Sequence, residues 1–195
     1  MKPTPPIDNQ ALVQFPVPGE VRLLRLLPGP VERVWDFIID PEKRARWFCG
    51  GLLEPKAGGR FVFAMHHKNL SPDETPPPEY AHVQDPGVTF EGRVLQCEPP
   101  HLLVFTFGGD DSVVTFDLTP EGDKVRLLLT HRASGPDLKE VGSFATGWHV
   151  HWALLIALLE GSPRPPFWGM HDRLKPVYSK LTSTSPDAGC SASRS

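Results

Sequence analysis

Cysteine is scarce in this chain. Cys49, Cys97 and Cys190 are the only three, and no two of them are closely spaced. That excludes a disulfide framework and a clustered thiolate metal centre, and it makes a reducing cytosol the expected compartment. Charge of one sign is not in excess either. Lysine and arginine number 20 against 23 aspartates and glutamates, which leaves no basic face for nucleic-acid phosphates. Long apolar runs are missing too: the longest, Trp152 to Leu159, falls far short of the ~20 residues that span a bilayer. The opening MKPTPPIDNQALVQF lacks the apolar stretch of a signal peptide. The expectation is a soluble cytoplasmic protein with neither nucleic acid nor membrane as partner.

Proline, by contrast, is abundant at 23 residues, and much of it lies outside the patterned segments. Residues 1–19 are proline-rich and 182–195 (TSTSPDAGCSASRS) small and polar, so both are expected to be poorly ordered arms. Between them the hydrophobic period switches cleanly. EVRLLRLL (20–27) reads as a strand closed by Pro28-Gly29. Pro30 opens a helix whose apolar face is Val31, Val34, Trp35 and Ile38, and Asp40-Pro41 opens a second, running to about Trp47. GGRFVFAM (58–65) and four further segments, 88–97, 102–107, 112–118 and 124–132, alternate as strands joined by turn-like PPH, GGDD and PEGD. A long helix from about Leu138 ends at Gly161. This order predicts an α+β fold: an antiparallel sheet curled around its final helix.

That helix carries GWHVHWALLIALLEG (147–161). At helical spacing Trp148, Trp152, Leu155 and Leu159 form one stripe, with Phe144 and Val141 earlier on it, and His149 falls on the polar side. His149 and His151 point about 200° apart and cannot share a metal as an i, i+4 pair can. The sheet adds a surplus of rings: Phe61, Phe63, Phe90, Phe105, Phe107 and Phe116. Rigid rings on a concave sheet leave gaps against a helix, so a cavity is expected there, with the tryptophans half core and half wall.

Chemical candidates are weaker. His131 ends an inward-facing strand pattern and is the one candidate general base, although a histidine hydrogen-bonded into the wall is the preferred reading. His66, His67 and His82 match no zinc spacing. Asp110-Asp111 reads as a turn, and the Asp36/Arg33 and Glu42/Arg46 pairs as solvated helix charges. Gly58-Gly59 lacks the helix and lysine of a phosphate cradle, and Cys49 reads as a small buried residue. No nucleophile, base and orienting group can be assembled, so no cofactor, metal or catalytic role is assigned.

Several segments in order carry a resemblance: PGPVERVWDFIIDPEKRARWF (28–48), GGRFVF (58–63), FEGRVLQCEPPHLLVFTF (90–107), VVTFDLTPEGDKVRLLLTH (113–131) and GWHVHWALLIALLEG. Over residues 20–161 the chain resembles the START-like (SRPBCC) helix-grip superfamily, in the branch named after the activator of heat-shock-protein-90 ATPase. The resemblance implies about six strands wrapped around a long C-terminal helix, two short helices after the first strand, and an elongated internal cavity. It also implies inward faces made by Phe61, Phe63 and Met65, by Leu103, Phe105 and Phe107, by Val114, Phe116 and Leu118, and by Leu127, Leu129 and His131. The expected ligand wall is therefore Trp47, Phe61, Phe63, Met65, Phe90 and Phe105, with Phe107, Phe116, His131, Phe144, Trp148 and Trp152. Binding of a small apolar ligand, by a monomer or homodimer, is the leading expectation. A stress-response co-chaperone with a chaperone partner, and a cyclase- or hydrolase-like enzyme using His131, are the alternatives. Two segments depart from the family pattern: a proline-stiffened insertion at 66–87, of the kind that forms lids, and an extension at 162–181 expected to dock as a helix broken near Pro176.

Overall fold

The computed structural model describes residues 6–135 and 140–183. Alternation of buried and exposed residues sets up β1 (Glu20–Pro28). Helix α1 (Val31–Ile39) starts one residue later than expected, with Pro30 as its extended cap. Asp40 then caps α2 (Pro41–Arg44), its Oδ1 accepting from the backbone N–H of Glu42 and Lys43 at 2.9 Å each. Helix α2 stops short of Trp47, because Trp47 and Phe48 turn inward into the core and the Trp47 Nε1–H donates to the Phe37 carbonyl at 2.9 Å.

The remaining strands are β2 (Arg60–Met65), β3 (Val88–Glu98), β4 (Leu102–Thr106), β5 (Ser112–Glu121) and β6 (Lys124–Ala133). They make one six-stranded sheet, ordered β1-β6-β5-β4-β3-β2, with antiparallel pairing throughout. Its register sets Val114 opposite His131, Phe116 opposite Leu129 and Leu118 opposite Leu127, so one face is continuously buried. A register shift between Val94 and Gln96 interrupts the β3–β4 ladder, a feature that bends a sheet.

Helix α4 (Val141–Glu160) lies in the hollow of this sheet, and α5 (Phe167–Ser183) covers its other side. The expected start near Leu138 falls outside the described residues. By length and hydropathy α4 would pass for a membrane span, which the shorter run in the sequence did not suggest. Its apolar side chains are instead spent inside the fold, where 72% of that stretch is buried. His149 is correspondingly not on a polar side. It is buried, and its Nδ1 stands 2.6 Å from the Tyr178 hydroxyl of α5.

The segments 66–87 and 162–181 are both folded. The insertion contains two 3-10 turns, His67–Asn69 and Pro78–Tyr80, and α3 (Ala81–Gln84), with His67, Leu70 and Ser71 buried. Its ends meet where Gly87 (φ 88°) passes so close to His66 that a β-carbon would stand 2.5 Å from the imidazole. The extension is one continuous helix through Pro176 rather than a broken one. The ring costs a helix ~3 kcal/mol. Just beyond it, fully buried Tyr178 is clamped by His149 and by the Val13 N–H, which donates to its hydroxyl at 3.0 Å.

The described part of the arm is tied to the sheet. Gln14 bridges to Arg22, and the Asn9 side chain both donates to and accepts from the Leu26 backbone at 2.8 Å. Residues 1–5 and 184–195 lie outside the described residues.

Candidate functional site

A cavity of about 240 Å³ opens where the β2–β3–β4 end of the sheet, α4, the insertion and α5 converge. Sheet and core supply Phe48, Met65, Val88, Phe90 and Phe107. Helix α4 supplies Phe144, Trp148 and His151 on one face, with Ser143 and Gly147 beside them. The insertion adds His67, Tyr80 and Val83, and α5 adds Phe167, Trp168 and His171. No lysine, arginine, aspartate or glutamate is among these side chains.

Of the twelve residues expected on the wall, Met65, Phe90, Phe107, Phe144 and Trp148 are there. Trp47, Phe61, Phe63, Phe105, Phe116 and Trp152 face inward but sit behind the wall, packed against one another. Trp152 is wedged between Trp47 (ring centroids 4.8 Å) and Phe116 (5.1 Å), and Phe61 stacks on Phe63 at 3.9 Å. These rings close their own gaps, and the chamber lies toward the β2–β3–β4 end.

His131 does not line the cavity either; it stands fully buried behind Trp148 and Phe144. Trp148 Nε1–H donates to His131 Nδ1 at 2.9 Å, which leaves the ring proton on Nε2, facing Ser112 Oγ at 2.7 Å. Burial holds the imidazole neutral, with a pKa pushed down to about 3. Its lone pair is taken by the indole, so it has none to offer a substrate. What it does is hold the Trp148 ring in position on the wall.

The rest of the wall comes from 66–87, from α5 and from the residues they touch. His67 is buried against Phe167 (ring centroids 4.7 Å) and faces His151 at 5.5 Å. His151 Nδ1 stands 2.7 Å from the Trp47 carbonyl, which fixes the proton there. Burial, reinforced by the neighbouring imidazoles His151 and His171, pushes His67 down to about 2. Burial likewise pushes His151 down to about 4 and lowers His171. Three neutral imidazoles therefore gather at one end of an otherwise apolar chamber. The sequence held a signal for two of them: HH at 66–67 and PPFWGMH at 165–171 put histidines and rings close together.

The cap is latched by Glu74. Its Oε1 accepts from the Gly169 N–H at 3.0 Å and its Oε2 from the Trp168 N–H at 3.1 Å, at the open N-terminal turn of α5, while Ser71 Oγ–H donates to the same carboxylate. Burial works against that charge, but the Ser71 hydroxyl and the helix N–H groups outweigh it and hold the carboxyl below its ordinary value. Gln84 fastens the other side, its Oε1 accepting from Trp168 Nε1–H at 2.9 Å.

Other candidates of the sequence lie elsewhere. Cys49 is buried beside Arg44, and burial pushes its thiol up to about 12, far from a reactive thiolate. Cys97 is half-buried, and Cys190 lies outside the described residues. Among the described residues no three His, Cys, Asp or Glu side chains are arranged to hold a metal ion.

Comparison with known proteins follows the same outline. A Bordetella parapertussis protein solved by NMR is 38% identical and superposes with a TM-score of 0.71, over 83% of this chain and 85% of that one. CalU16 from Micromonospora echinospora shares the fold at 22% identity and TM-score 0.61, over 85% of this chain and 89% of its own. DynU16, a putative protein in the dynemicin biosynthetic locus, does so at 24% identity and TM-score 0.56, over 77% of this chain and 51% of its own. No curated protein matches the chain. The family model for activator of Hsp90 ATPase homolog 1-like proteins matches residues 28–160, from the turn before α1 to the last residue of α4, and the chain belongs to that family.

Proposed function

We propose that this protein binds a small, largely apolar molecule in the chamber between sheet, α4 and cap, and that it does so without a catalytic step. Gly147 is the observation that carries the reading. It sits in the middle of α4, where glycine costs roughly 0.5–1 kcal/mol against alanine. A β-carbon there would meet nothing nearer than the His151 ring at 4.0 Å. A helix selected for stability alone would carry a side chain at this position; one that lines a binding chamber keeps it clear.

The volume narrows the guest. A cavity of ~150 Å³ holds benzene, and drug-sized ligands occupy ~300–1,000 Å³. At about 240 Å³ the chamber suits one or two fused rings and is too small for a lipid tail. The scarcity of cysteine and the inert, buried Cys49 support a reducing cytosol as the place of action. The enzyme alternative has lost its base, since His131 is committed to Trp148 and Ser112.

Trp148 and Trp168 stand on the wall, so naphthalene entering it should quench tryptophan fluorescence saturably. Gly147→Leu should abolish that quenching while leaving the thermal midpoint unchanged or raised. Absence of saturable quenching in the native chain would reject the reading.

A further inference from the structure

The chamber's polarity is concentrated at one end, and its hydrogen-bonding pattern specifies a chemical group. His67 is only 7% exposed, yet neither Nδ1 nor Nε2 has a hydrogen-bond partner among the described residues. A neutral imidazole offers one N–H and one lone pair, and burying both unmet is costly. Opposite it, the His151 proton is committed to the Trp47 carbonyl, so Nε2 is an acceptor. The centroids of the two rings stand 5.5 Å apart, with 32° between their planes, so the two imidazoles are neighbours at this end of the chamber.

The need at this end is therefore for a group that accepts from one imidazole and donates to another. A hydroxyl does both, whereas a carboxylate only accepts and an ammonium only donates. Charge decides in the same direction. None of the lining side chains is a lysine, arginine, aspartate or glutamate, so an ionised guest would be desolvated with no countercharge. Away from the histidines the wall is made of rings, among them Phe90, Phe107 and Trp148.

Resting on the binding reading above, we propose that the ligand is a neutral aromatic alcohol of the phenol class, one or two fused rings in size. Its hydroxyl sits between His67 and His151 and its ring among Phe90, Phe107 and Trp148. The segment 66–87 supplies His67 and α5 places Phe167 against it, so specificity for the hydroxyl is a property of these two segments.

Three probes of one shape test this with the full chain at neutral pH: naphthalene, naphthol and naphthoate, titrated by tryptophan fluorescence and calorimetry. Naphthol is expected to bind about tenfold tighter than naphthalene, as one or two net hydrogen bonds provide, and naphthoate more weakly than either. His67→Phe should erase the advantage of naphthol over naphthalene, the ratio of the two affinities falling to about one. A readout that does not depend on the variant folding is the ring-nitrogen NMR of the native protein. The His67 and His151 resonances should move with naphthol and stay put with naphthalene. Equal affinities for naphthalene and naphthol, tightest binding of naphthoate, an advantage surviving His67→Phe, or unmoved nitrogen resonances would each overturn the hydroxyl assignment while leaving the apolar chamber intact. Failure of all three probes to bind would instead remove the binding reading itself.

Discussion

Two ends of one sheet have solved the same packing problem differently. Toward β1, β5 and β6, α4 presses its tryptophan against Trp47 and Phe116, and the core closes with Trp152 fully buried. Toward β2 and β3, Phe107 meets Phe144 and Trp148 of α4, Gly147 withholds a side chain beside them, and the remaining space is roofed by the insertion and α5. The first end is the shared fold holding itself together. The second shows that a cap made of 66–87 and α5 closes over a place where the packing is incomplete and brings its own polar groups. On the proposed reading stability and recognition are housed in separate places, and perturbations should tell them apart.

Acid should produce the largest effect, because both ends hide neutral histidines. His131 and His149 in the closed region fold with values of about 3 and about 4, and His67 and His151 at the cap with about 2 and about 4, burial being the leading cause in each. Unfolded, each titrates near ~6.5, so below that pH the unfolded chain binds protons that the folded chain refuses. Stability is therefore full above about pH 6.5 and falls with acidification, by up to ~1.4 kcal/mol per pH unit for each such histidine. Denaturant midpoints measured downward from neutral should decline steeply, with unfolding complete before about pH 4; a flat profile would contradict the burial of these rings.

Next in size is Trp152→Ala, which empties the closed region and should cost ~3–5 kcal/mol in chemical denaturation. Trp168→Ala at the cap should cost less, and should weaken naphthalene binding severalfold, a disparity that equal losses of stability would erase.

Smaller again is Glu74→Ala. Unlatching α5 should cost ~1–2 kcal/mol and raise amide exchange in 66–87 and at the start of α5, with β5 and β6 unchanged. Equal acceleration in the sheet would mean that cap and core are not separable. The smallest effect is a gain: Gly147→Ala should stabilise by ~0.5–1 kcal/mol while narrowing the chamber.

The same division explains what could be read in advance. Five inward-facing rings and Met65 on alternating strands were legible because period-two patterning places them on one face whatever surrounds them. Whether a given ring is then enclosed by neighbours, as Phe61 is by Phe63 and Phe105, or also borders open space, as Phe90 does, depends on curvature and on what lies opposite. No local pattern encodes that. His149 was misplaced for a related reason: its polar face became interior once α5 and the arm covered it. Pro176 reads as a breaker locally and is overruled by the anchoring of Tyr178 beyond it.

By itself the sequence determined the order and type of the elements, the antiparallel sheet and the helix it grips, because hydrophobic period and turn chemistry act over a few residues at a time. Only the tertiary structure decided where the sheet fails to close, that His67, His151 and His171 meet there, and that His131 is a strut rather than a base. Those outcomes depend on segments distant in the chain being brought within hydrogen-bond range, and on burial, which removes the water that would otherwise charge and satisfy each imidazole.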